Sequence, residues 1–142
     1  MNLIRYASFC LLALAWGSAL ACEGLVVREA WIAQAPPQAM ALAGYATLEN
    51  RGDRALRIDA VSGADFGEAM IHATREENGM MQMRMLDHLD VPAHATVTLA
   101  PGGMHLMLMQ PSRRLKAGDT TILEFHCGKQ TTAASFTVRP AR

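Results

Sequence analysis

The chain has 142 residues, with 13 Lys and Arg against 13 Asp and Glu, so it carries no net charge and no run of either sign. That balance excludes the basic face a nucleic-acid binder needs and the acidic tail of a charge-driven partner. Hydrophobic residues make up 51% of the chain while aromatics supply only 6%, and 10 methionines stand out against that background.

The first 21 residues, MNLIRYASFCLLALAWGSALA, have an early positive charge at Arg5, an apolar run and a small-residue ending at Ala19-Leu20-Ala21. This pattern predicts a secretory leader cleaved after Ala21, with an apolar stretch too short to span a bilayer. An alternative is acylation of Cys22, although Ala19 stands where Leu is expected three residues before a lipidated cysteine. Residues 22–142 are long enough for one domain with a core and too short for two. The mature chain is then exported, with no transmembrane segment.

Removal of the leader takes Cys10 with it and leaves Cys22 and Cys127. An even cysteine count in an exported chain permits a disulfide. The rival is a frayed or lipidated Cys22 and a small buried apolar Cys127.

From there the pattern is short and period-two. Strands are predicted at 24–33, 41–50, 55–63, 69–75, 79–86, 94–102, 104–110, 120–127 and 133–140. Turn signals separate them at Pro36-Pro37, Asn50-Arg51-Gly52-Asp53, Glu77-Asn78-Gly79, Pro101-Gly102-Gly103 and Ala117-Gly118-Asp119. No long stretch holds a helical period. The fold class is therefore all-β, an antiparallel sandwich or Greek-key barrel.

Unusual side chains fall on shared faces, because residues i and i+2 of a strand point the same way. In AMIHATR, Met70 and His72 share a side opposite Ile71 and Ala73; in MHLMLMQ, His105, Met107 and Met109 lie opposite Leu106 and Leu108. The leucines are the natural core residues, which leaves His105 and Met107 facing outward or into a pocket rim. In GMMQMRM, Met81, Met83 and Met85 lie opposite Gln82 and Arg84. Met is a poor specifier of strand packing, so three such faces suggest ligands for a metal or an adaptable surface for a protein partner. Thioether is soft and imidazole borderline, and no carboxylate belongs to the set, so Ca²⁺, Mg²⁺ and structural Zn²⁺ are poorly served and Cu(I) is favoured. An exposed thiolate oxidises outside the cytosol, whereas a thioether does not form disulfides there.

The spacing from His72 reads H-x10-M-x21-H-x-M through Met83, His105 and Met107. With VVREAWIAQAPP, AGYATLEN, IHAT, GMMQMRM and PGGMHLML, this resembles the periplasmic CuA chaperone family, PCuAC, over nearly the whole mature chain. The resemblance implies a cupredoxin-like β-barrel with one Cu(I) on His72, Met83, His105 and Met107, and Met70 as a possible auxiliary ligand. It implies delivery toward the CuA centre of cytochrome c oxidase subunit II alongside a Sco-type protein, by ligand exchange rather than catalysis, and a monomer is expected. Some members carry a His- and Met-rich tail, whereas this chain ends in TVRPAR, which puts a second copper in doubt. His88, His94 and His126 fall outside the pattern.

Two rivals stay open. An electron-transfer cupredoxin would need Cys127 as a thiolate ligand, yet the CGKQ that follows supplies neither the His nor the Met of a blue-copper loop. A Met-rich interaction module of the cell envelope would need no metal. No enzyme is expected, since the sequence offers no evident nucleophile with a neighbouring base and no phosphate-cradling glycine loop.

Overall fold

A computed structural model describes residues 22–141, so the leader expected at 1–21 lies outside the described residues. Among these residues there are eleven strands: β1 (Leu25–Ala33), β2 (Ala41–Asn50), β3 (Leu56–Ile58), β4 (Ala60–Ser62), β5 (Phe66–Glu77), β6 (Met80–Leu86), β7 (Leu89–Val91), β8 (Thr96–Leu99), β9 (His105–Pro111), β10 (Thr120–Cys127) and β11 (Gln130–Arg139). No helix among them is long and apolar enough to cross a membrane.

Seven strands close a ring in the order β1-β11-β10-β4-β5-β9-β2, and β2 returns to β1. Every pairing around it is antiparallel except β1 with β11, where Ile32 faces Val138. Closure removes the unpaired edges an open sheet would expose. The inward positions alternate as the sequence pattern demands: Ile32, Leu48, Leu106, Leu108, Leu123, Phe125, Phe136 and Val138 are all buried. Each contributes about 1.5–3 kcal/mol of apolar burial.

Four strands lie outside the ring. β8 extends β2 beyond the point where β9 leaves it, and β3 pairs with β7 in a separate ribbon. β6 pairs with β5 alone, projecting as the second arm of a hairpin whose residues are mostly exposed.

The strand expected at 55–63 is two strands that part at Asp59, because Leu56–Ile58 pairs with β7 while Ala60–Ser62 pairs with β10. β7 was not predicted from the sequence. Its Leu-Asp-Val is too short to display a period, and its place is set by burial of Leu89 and Val91 against the core. Cys22 and Cys127 form a disulfide with Cα atoms 5.7 Å apart, tying the first described residue to the end of β10.

Candidate metal centre

β5 is the strand that gathers the unusual side chains. One edge pairs with β9, so that His72 stands directly opposite His105 and Met70 opposite Met107. The other edge pairs with β4 at Ala69 and then with β6, where His72 stands opposite Met85 and Thr74 opposite Met83. Directly paired residues project to the same face, with Cβ atoms about 4.5–5.5 Å apart. A row Met85, His72, His105 therefore crosses three strands on the outer face of the barrel. Met83 lies one diagonal step from His72, and the pair Met70 and Met107 lies in the next row.

Ile71, Leu106 and Leu108 take the opposite face and anchor the strands in the core. The two imidazoles meet edge to face, with ring centroids 5.6 Å apart. His105 is buried, at 7% exposure, rather than open on the outer surface. Its Nδ1 is 3.3 Å from the Gly103 carbonyl, and donation from Nδ1–H leaves the Nε2 lone pair for a ligand. That carbonyl belongs to the Pro101-Gly102-Gly103 turn, and it also accepts the Thr74 amide from β5.

His72 has no such partner. Its Nδ1 is buried without a hydrogen bond, the one such side-chain nitrogen or oxygen among the described residues. An unsatisfied buried polar atom costs about 1–3 kcal/mol unless something else meets it. Desolvation lowers the His72 pKa, and the neighbouring His105 lowers it further. Both effects keep the ring neutral, the form that donates a lone pair to a metal.

The thioethers differ in access. Met83 and Met85 on the projecting β6 are 62% and 54% exposed, while Met70 and Met107 are half-buried. Among the described residues no three His, Cys, Asp or Glu side chains gather as a metal site, and the donors that this face offers are thioether and imidazole. That donor set suits a soft monovalent ion.

All four residues of the sequence pattern, His72, Met83, His105 and Met107, lie on this face. Sequence reasoning placed Met85 on a face with Met81 and Met83 but left it out of the ligand set, although it is the direct cross-strand neighbour of His72. The signal was present in Asn78-Gly79, both at positive φ, a two-residue hairpin turn that fixes the register between β5 and β6.

The remaining histidines stand apart. His88 and His94 face Asp90 and Asp53. His126 joins Ser62 Oγ at 2.7 Å and Thr131 Oγ1 at 3.2 Å, so the structure does bring a hydroxyl beside a base. The orienting partner is a hydroxyl where nucleophilic catalysis uses a carboxylate. A cleft of about 580 Å³ is lined by Trp31, Tyr45, Pro101 and Arg139 with no soft donor among its lining residues.

The electron-transfer reading loses its essential ligand, because Cys127 is held in the disulfide and offers no thiolate. The same bond occupies the sulfur that acylation of Cys22 would use.

Fold and site together define a small β-barrel carrying a soft-donor face beside a histidine pair. The chain belongs to the family described as "Putative lipoprotein LpqE-like", which is of PCuAC type, and matches it over residues 25–138. It is 29% identical over 115 residues to "Putative lipoprotein Lxx21020" of Leifsonia xyli subsp. xyli, covering 79% of this chain and 68% of that one. The Cu(I) form of DR1885 from Deinococcus radiodurans superposes with a TM-score of 0.65 at 30% identity, over 89% of this chain and 83% of that one. The copper-bound PCuAC domain from PmoF2 gives a TM-score of 0.71 at 20% identity, over 85% and 97% of the two chains, a likeness of fold.

Proposed function

We propose that this protein is a periplasmic copper chaperone that carries one Cu(I) on His72, Met83, His105 and Met107. The observation that carries the reading is the orphaned Nδ1 of His72 beside His105, in a face whose other donors are thioethers. Relatives that hold copper on the same fold support it. The working unit is residues 22–142, released from a leader that ends at Ala21.

Carriage needs neutral, exchangeable ligands. Imidazole and thioether hold Cu(I) without charge, so each can be displaced singly by a donor of the acceptor, and the protein acts as a carrier rather than an enzyme. The family resemblance points to the CuA centre of cytochrome c oxidase subunit II as the destination, with a Sco-type protein as companion.

Anaerobic titration with Cu(I) against a chromophoric chelator tests the reading, run beside a His72→Ala, His105→Ala variant. One tight equivalent that the variant loses is expected. Binding retained by the variant would overturn the assignment. The exposed methionines of β6 favour a second reading, a protein-docking surface without metal; it requires the parent to bind no Cu(I), and partner capture to survive loss of both histidines.

A further inference from the structure

Met85 is the one thioether placed both directly beside His72 and on the wall of an open cleft. The cleft, of about 230 Å³, opens where β4 and β6 take successive parts of the same edge of β5. Met70 and Met85 line it, with the carboxylates of Asp59 and Asp87 also in its wall. Both are exposed, and Asp59 accepts the Gly128 amide.

From covered to open, the row runs His105, His72, Met85. His105 is almost inaccessible and His72 is half-buried, while Met85 is half in solvent. A donor from another molecule arriving through the cleft meets Met85 before either imidazole. Core packing does not explain a large apolar side chain at this spot, since at 54% exposure it gains little from burial. The carboxylates beside it favour a cation electrostatically, yet as hard oxygen donors they do not compete for Cu(I).

We propose that Met85 is the exchange ligand of this centre: its thioether takes Cu(I) from the resident set and presents it in the β4–β6 cleft to a soft sulfur donor of the acceptor. The assignment rests on the copper reading above. Each exchange breaks one coordinate bond to copper and forms another, the metal stays Cu(I), and no proton or electron moves. Met83 remains a resident ligand, one step farther along β6 opposite Thr74.

The test compares Met85→Leu, close in volume, with Met81→Leu, which removes a somewhat more exposed thioether two rows away opposite Glu76. Each is loaded with Cu(I), its affinity measured at equilibrium, and its copper removed by bathocuproine disulfonate in a stopped-flow experiment. Met85→Leu is expected to keep one equivalent at an affinity within about threefold of the parent while losing copper about tenfold more slowly, as one lost low-barrier step implies. Met81→Leu is expected to match the parent. Removal from Met85→Leu at the parent rate would overturn the proposal, and so would an affinity loss of about tenfold or more, which would make Met85 a resident ligand. In methyl-¹³C-methionine spectra at sub-stoichiometric Cu(I), the Met85 methyl is expected to broaden while that of Met81 does not. An unmoved Met85 methyl also refutes the role. A parent that binds no Cu(I) at all defeats the copper reading itself, a result distinct from a binding parent with an indifferent Met85→Leu.

Discussion

The imidazole of His105 lies edge-on to that of His72, 5.6 Å between centroids, at directly paired positions of β9 and β5. Desolvation, and then the charge that His105 would carry, hold the His72 pKa below its ordinary 6.5. The unfolded chain therefore takes up a proton at His72 as pH falls through 6.5, whereas the folded chain resists it. Native stability is full above that pH and declines below it until the lowered folded value is passed. Urea denaturation of metal-free protein at pH 7.5 and 5 should show the decline, and His72→Gln should reduce it. An identical pH slope in both proteins would show that His72 is not responsible.

The Cys22–Cys127 bond closes a loop with a sequence separation of 105. Replacing both cysteines by Ala is expected to cost about 2–5 kcal/mol, read as a lower urea midpoint. Because the sulfur cannot carry both a disulfide and a lipid, intact-mass measurement of protein recovered from the cell envelope should show no lipid on Cys22 and two hydrogens fewer than the reduced chain. A diacylglycerol on Cys22 would mean that the disulfide does not form in that population.

Asn78 and Gly79 adopt φ of 53° and 78° and make the two-residue turn between β5 and β6. A Cβ on Gly79 would meet nothing within 4 Å, so Gly79→Ala isolates the backbone cost of the left-handed conformation. That cost is roughly 1–2 kcal/mol. Hydrogen exchange should show β6 amides opening faster in Gly79→Ala while those of β10 are unchanged. Equal protection across β6 would mean the register is held by its cross-strand pairs and not by the turn.

Period-two alternation was enough to put Leu106 and Leu108 inside and His105 and Met107 on the other face, because a strand offers its side chains only two directions. The same alternation gave the exact bounds of β2 and β10. It could not locate β7, and it merged β3 with β4, since runs of three residues hold too little period to be seen.

The hairpin lay within reach of local chemistry. Asn78-Gly79 dictates a tight turn, and counting back from it pairs Met85 with His72 and Met83 with Thr74. The cysteines were different: the sequence permitted their pairing but did not exclude a frayed or lipidated Cys22 with Cys127 as a small buried apolar residue.

By itself, then, the sequence determined the all-β class, the inward and outward faces of each long strand, and a soft-donor set suited to Cu(I). These follow from side-chain chemistry and a local repeat. Only the tertiary structure decided that β9 lies beside β5, that His105 meets His72 while buried, and that β4 and β6 share an edge with a cleft between them. Such contacts join residues distant in the chain, and their register is set by how the leucines and phenylalanines of the whole barrel interlock, a condition that no single segment carries.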